Sequence, residues 1–175
     1  MRAMERAGRA AGFTTSDFRR TLGAFATGVT VVTTRGMWHP YGMTANAFSS
    51  LSLDPPLVLV CVRSGAEGSE QIAANRVFAV NILAADQEAL SRYFASRTRP
   101  RGRHAFRDVD HRTGVTGSPI LSDVAASMDC RLQSVQEAGD HQIFIGEVVD
   151  LDVAPDVEPL LFHGGRYRRA QSDDA

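Results

Sequence analysis

From Val124 to Gln136 the chain alternates, with Ala126, Met128, Cys130 and Leu132 on one parity and Ser127, Asp129, Arg131 and Gln133 on the other. A period of two held this long describes a strand with one buried face. Ala138-Gly139-Asp140-His141 then turns the chain, and Gln142 to Val153 returns as a second long strand. The two form a hairpin. A hairpin of this length commits the chain to antiparallel β architecture, and the other segments have to fit around it.

They do so as short strands. Thr15-Ser16-Asp17 offers helix-capping side chains, and Phe18, Leu22 and Phe25 follow at helical spacing, predicting an amphipathic helix over Ser16–Ala26. Val29–Thr34 is a β-branched run and the first strand, and Val77–Leu83 reads as another. Asp86–Ala95 has helical spacing, with Ala89, Leu90, Tyr93 and Phe94 on one side. Gly114–Pro119 reads as a turn-rich loop, and Leu160–Phe162 as a last short strand. The tally is six or seven strands and two or three helices, without alternating βα units. A mainly β, closed or partly closed antiparallel barrel follows, because closure removes sheet edges. At 175 residues the chain fits one domain, expected over 15–169, with disordered tails at 1–14 and 170–175.

The stretch Gly42–Val62, GMTANAFSSLSLDPPLVLVCV, carries the most chemical information. Its polar set, Thr44, Asn46, Ser49, Ser50 and Ser52, changes parity between Asn46 and Ser49, which implies a bulge or bend. Short side chains around a bend leave the backbone within reach of a ligand; a Ser/Thr-rich edge strand facing solvent is the alternative. After Pro55-Pro56, the run Leu57–Val62 reads as a strand buried on both faces. The next loop, Arg63 to Ser69, holds two glycines and two hydroxyls beside an arginine. Such a loop builds either an anion-binding nest leading into a short helix from Ser69 or an ordinary polar turn. Arg97, Arg99, Arg101 and Arg103 then alternate around a Pro and a Gly, as a solvated loop or as a mobile basic flap with Phe106 as an apolar latch.

Several classes of function are disfavoured. A net charge of -1 gives no general reason to expect a nucleic-acid partner. No apolar run approaches the roughly 20 residues of a membrane span. The Arg-rich start has no apolar core of a secretory signal. Cys61 and Cys130, far apart and each within an apolar strand pattern, read as two buried free thiols in a reducing cytoplasm, with a disulfide as the alternative. There is no GxSxG, no GxGxxG and no HExxH, and His39, His104, His111, His141 and His163 show no metal-ligand spacing, so no metal is expected.

With these motifs in view, the chain resembles the short-chain flavin reductases that serve two-component flavin-dependent monooxygenases. The resemblance is carried by FRRTLGAFATGVTVVTT (Phe18–Thr34), the Gly42–Val62 block, FAVNIL (Phe78–Leu83), GSPIL (Gly117–Leu121), GDHQIFIGEV (Gly139–Val148) and LLFHGGRYRR (Leu160–Arg169), in family order. It implies an FMN-binding split β-barrel, antiparallel and Greek-key-like with a few peripheral helices, and a cytoplasmic homodimer. It implies hydride transfer from NADH or NADPH to FAD or FMN, the reduced flavin diffusing to a partner monooxygenase. In that reading Thr44, Ala45, Asn46, Ala47, Ser49, Ser50 and Ser52 hold the flavin ring and ribityl chain, largely through the main chain. Arg63, Ser64 and Ser69 hold the phosphate. Phe106 lies near the flavin; the family usually carries a basic residue two or three positions earlier, where this chain reads Arg103-His104-Ala105. His141, Phe162, His163, Gly164, Gly165 and Tyr167 face the nicotinamide nucleotide, with His141 as a hydrogen-bond clamp, a proton donor or a histidine that fixes the turn. Two alternatives to the reductase stand beside it: a flavin- or haem-binding module without turnover, and a pyridoxamine-phosphate-oxidase-like enzyme, for which no matching Arg/Lys pattern is seen.

Overall fold

The structure, a computed structural model, describes residues 12–170. The Arg-rich start and nearly all of the two expected tails lie outside the described residues. Helix α1 (Thr15–Leu22) opens on a capping box, in which the Thr14 hydroxyl accepts the Asp17 N–H and the Asp17 carboxylate accepts the Thr14 N–H, at 3.1 and 3.0 Å. It stops four residues short of the expected Ala26. Gly23 closes it, and the N–H groups of Ala24 and Phe25 fold back onto Thr21 and Leu22 in tighter turns. None of its side chains is buried, and Phe18, Leu22 and Phe25 all stand exposed.

Strands β1 (Thr27–Gly28), β2 (Thr30–Thr34), β3 (Tyr41–Ala45), β4 (Phe48–Leu53) and β5 (Pro56–Arg63) follow, then helix α2 (Glu67–Asn75), β6 (Val77–Ile82) and helix α3 (Glu88–Ala95). Two short strands, β7 (His111–Thr113) and β8 (Pro119–Leu121), pair across the segment expected to be loop. Strands β9 (Ala126–Ala138) and β10 (His141–Val153) are the long hairpin, and β11 (Leu161–His163) and β12 (Arg166–Arg168) a short one.

Seven strands make one antiparallel sheet in the order β3-β2-β6-β9-β10-β5-β4, with the long hairpin at its centre. The two edges, β3 and β4, are consecutive in the chain and separated only by Asn46 and Ala47. Laid flat, six strand spacings of about 4.8 Å would hold the edges roughly 29 Å apart. A two-residue link reaches only about 10 Å. The sheet is therefore rolled into a barrel whose edges meet at this corner and whose wall is left open along a seam. This is the partly closed antiparallel barrel read from the strand pattern and the split β-barrel that the resemblance implied.

The barrel interior is filled by Val32, Val60, Phe78, Val80, Cys130 and Phe144, with Ile72 of α2 closing it. Gly146 belongs to this packing: a Cβ there would run into the Phe78 ring and lie 3.0 Å from the Cβ of Cys130. A second core forms outside the wall, where Val31, Leu83, Phe94, Phe106, Leu121 and Leu160 gather under α3 and β8. The outer layer explains two departures from expectation. β2 is buried along its whole length, and so are Ser127 and Asp129 on the β9 face expected to meet water. Conversely, β5 is buried on one face only: Val58, Val60 and Val62 point inward, while Leu57, Leu59 and Cys61 are half-buried on an outer face that no layer among the described residues fully covers. Both cysteines are free. Burial, with Asp129 adjacent, pushes the Cys130 thiol up to about 12 and leaves it inert at neutral pH. Among the described residues no helix is long and apolar enough to cross a membrane.

Candidate active site

The seam presents main chain. β3 bonds only to β2 and β4 only to β5, so alternate residues along each turn their N–H and C=O groups into the gap. The corner itself is anchored from behind: the Cys61 N–H donates to the Ala47 carbonyl at 2.9 Å, and the Thr30 hydroxyl donates to the Ala45 carbonyl at 2.6 Å. The expected parity change is this corner, and a register shift between Ser50 and Ser52 adds a bulge. Asn46, Ala47, Ser49 and Ser50 are exposed, and Thr44, Ala45 and Ser52 half-buried. Small side chains beside unpaired backbone donors suit a flat heteroaromatic ligand, so the donor set fits a flavin.

Two further loops meet the same end of the barrel. Ala47 lies opposite Cys61, two residues before Arg63, and Arg63 pairs in register with His141. The Ser64 N–H donates to the Asp140 carbonyl at 3.0 Å, tying the loop to the hairpin turn. Arg63 and Ser64 are exposed, as phosphate contacts need. Ser69 is not: it is 2% exposed, and its hydroxyl donates back to the Ala66 carbonyl at 2.7 Å. It closes the first turn of α2, which starts at Glu67 rather than at Ser69. The arginine segment is also more tightly held than a flap. The Arg99 guanidinium donates to the carbonyls of Phe94, Ser96 and Gly42 at 3.2, 2.8 and 2.5 Å and lies over the Tyr41 ring. Arg101 reaches Glu67 at 3.5 Å. Phe106 is no latch: its ring is buried in the outer core, 5.3 Å from that of Phe94.

The residues implied for the nicotinamide divide between two places. Gly164 and Gly165 take positive φ of 59° and 75° to make the β11–β12 turn, a conformation that favours glycine. The turn is moored by the Gly164 N–H on the Gly23 carbonyl at 2.8 Å, and His163 is exposed beside it. β1 pairs with β11, Thr27 opposite Phe162, and the Asn46 amide donates to the Thr27 hydroxyl at 3.3 Å. The short hairpin is thereby set against the seam. A cavity of about 150 Å³ opens between them, lined by Thr44, Ala45 and Asn46 on one side and Phe162 and Tyr167 on the other, with Val29 and Ala95. His141 stands with the Arg63 loop instead. Its Nδ1 pairs with the Asp140 carboxylate at 2.8 Å, and that hydrogen bond, with the imidazole's charge, holds the Asp140 carboxyl below its usual range.

Sequence reasoning missed Thr27, which receives Asn46, and Ser91, whose carbonyl accepts the Thr44 hydroxyl at 2.6 Å. The one available signal was a serine three residues before Phe94, on the buried face of α3. Three larger clefts open elsewhere: two, of about 450 and 420 Å³, contain none of the residues implied for the site, and a third, of about 360 Å³, contains Tyr167 alone of them. Size does not locate the chemistry here; the convergence of the seam and the short hairpin does.

Comparison with known proteins bears on this arrangement. The sequence model of the flavin reductase like domain matches residues 22–171. The NADH-dependent FAD reductase of Streptomyces globisporus is 46% identical over 158 residues, covering 90% of this chain and 86% of the relative. The FMN reductase (NADH) SmoA of Agrobacterium fabrum is 40% identical over 158 residues, covering 90% and 87%. Among solved structures, the Streptomyces globisporus C-1027 NADH:FAD oxidoreductase SgcE6 in complex with NAD and FAD fragments aligns with a TM-score of 0.85 at 42% identity, covering 91% of this chain and 94% of that one. BorF, the flavin reductase component of a bacterial two-component tryptophan halogenase, aligns with a TM-score of 0.84 at 39% identity, covering 88% and 96%. A sheet rolled about an open seam, matched along nearly its whole length by these proteins, makes the chain a member of the flavin reductase like domain family.

Proposed function

We propose that this chain transfers hydride from NADH to FAD or FMN and supplies the reduced flavin to a separate flavin-dependent monooxygenase. The observation that carries the reading is the shared cavity of about 150 Å³, which brings the seam residues Thr44, Ala45 and Asn46 together with Phe162 and Tyr167. Hydride acceptance is chemistry the flavin itself supplies when bound. The chain binds and orients. Backbone N–H groups of the seam hold the flavin ring, Arg63 and Ser64 the phosphate, and the His141 Nε2, free because Nδ1 is committed to Asp140, the nucleotide. Phe162 and Tyr167 exclude water and keep the rings stacked near the roughly 3–3.5 Å of a near-attack arrangement. No side chain is required as acid or base. The names of the relatives, NADH-dependent FAD reductase and FMN reductase (NADH), support NADH as donor, and the reductase subunit HsaB of a Rhodococcus jostii flavin-dependent monooxygenase, 38% identical over 156 residues, supports the partner. Free thiols suit a reducing compartment, and we place the protein in the cytoplasm.

Purified protein is expected to consume NADH rapidly in air only when FAD or FMN is added, followed by the loss of NADH absorbance. Background rates with every pairing of flavin and nucleotide would favour a binding module without turnover.

The assembly we infer is a homodimer. The exposed Phe18 and Leu22 of α1, Phe25 just beyond it and the half-buried Leu57 and Leu59 of β5 are apolar surface left uncovered by the described residues. Light scattering at micromolar concentration should give twice the chain mass; a fully active monomer would remove this assignment.

A further inference from the structure

Ser91 has no exposed surface and does not line the cavity, yet both walls are fastened to it. Its carbonyl accepts the Thr44 hydroxyl at 2.6 Å, which fixes the seam strand. Its hydroxyl shares a hydrogen bond of 2.9 Å with the Tyr167 phenol, which fixes the short hairpin. β12 pairs with β11 alone, so this bond ties β12 directly to α3. Around it, the Arg92 guanidinium lies 4.8 Å from the Tyr167 ring centre, and Tyr167 meets Phe162 edge to face at 5.4 Å.

We propose that Ser91 is a positioning residue for the reduction: through its hydroxyl it holds the Tyr167 ring against α3 and so sets the gap in which the nicotinamide stacks on the flavin. The assignment rests on the reductase reading given above. Its two bonds separate the consequences. Ser91→Ala removes the bond to Tyr167 but leaves the backbone carbonyl that receives Thr44. The seam keeps its anchor, and the half-buried phenol turns to water. The nicotinamide side loosens while the flavin side does not.

The test uses Ser91→Ala, Tyr167→Phe and the double variant in the full chain. NADH initial rates are measured at saturating flavin, flavin binding by fluorescence quenching, and amide exchange along the chain. Each single change should raise the NADH KM about two- to tenfold, the worth of one neutral hydrogen bond. The double variant should do no more, because both changes remove the same bond. Flavin affinity should stay at the wild-type value, and exchange should quicken over 161–168 alone. An unchanged NADH KM in both singles, additive rises in the double variant, or a flavin affinity that falls in step with KM would each overturn the assignment. Should Ser91→Ala fold poorly, Tyr167→Phe decides by the same criteria. Wild-type protein inactive with every flavin and nucleotide overturns the reductase reading and this assignment together, and is recognised before any substitution is made.

Discussion

Asp129→Ala is expected to cost about 3–5 kcal/mol of folding stability, because it deletes two charge-assisted hydrogen bonds at a buried site. The carboxylate is 1% exposed and accepts the Thr116 N–H at 2.7 Å and the Thr116 hydroxyl at 2.5 Å. Among the described residues it has no ion-pair partner, so these donors are what makes its burial tolerable. Removing it strands the N–H of a residue only 8% exposed and frees the turn that leads into β8. The effect travels further, since the Thr33 hydroxyl of β2 donates to the Pro119 carbonyl at 2.5 Å and β8 lies against the outer core. At about 2–4 °C per kcal/mol for a chain of this size, the melting temperature should fall by roughly 6–20 °C. Asp129→Asn keeps one acceptor and should lose less. Thermal melts followed by circular dichroism check both, and a loss below about 1 kcal/mol for the alanine variant would show that the turn is held by something else.

His141→Ala is expected to raise the apparent KM for NADH about ten- to hundredfold with flavin affinity little changed, the cost of one charge-assisted hydrogen bond. The imidazole is positioned rather than free, with Nδ1 on the Asp140 carboxylate and the backbone in register with Arg63. Because the Asp140 carboxyl titrates below its usual value, the carboxylate acceptor is fully formed above the unfolded carboxyl's pKa and is lost as pH falls through the lowered one. The histidine does not line the ring cavity. In the proposed reading its contact is with the nucleotide's phosphate or ribose portion, and His141→Gln, which keeps a donor, should recover part of the loss. If His141→Ala instead abolishes flavin binding at an unchanged NADH KM, the histidine serves the flavin phosphate beside Arg63, and the division of the site is redrawn.

What was legible in the sequence follows from which forces act locally. The long hairpin showed itself through alternation, and the seam corner through a change of parity, because both are properties of neighbouring residues. The end of α1 was misplaced because Ala24 to Ala26 are compatible with helix and Gly23 alone closes it. Strands β7 and β8 are too short to display a period. The burial of Ser127 and Asp129 depends on an outer layer contributed by β8 and the Thr116 turn before it, about which the alternation of β9 is silent. Ser69 was implied as a ligand contact by its Gly- and hydroxyl-rich loop and the resemblance, and Phe106 by the resemblance; their burial is decided by the packing of α2 and by the second core. Ser91 had no local mark beyond its place three residues before Phe94 on α3, since its two bonds join it to residues 47 and 76 positions away.

The place of the long hairpin in the sheet has a consequence for biosynthesis. β5 and β6 are neighbours in the chain, yet β10 and β9 stand between them in the barrel. At about 5–20 residues per second, a ribosome finishes the first six strands seconds before the hairpin emerges. During that interval β3-β2-β6 and β5-β4 are two separate ribbons, each with unpaired backbone on both flanks. The outermost strands are already linked through Asn46 and Ala47, so insertion of the hairpin between β6 and β5 is the step that closes the barrel. The nascent chain thus carries every residue of the stretch proposed to face flavin long before the barrel around it is complete, and a chain released before residue 126 would have the motif without the barrel.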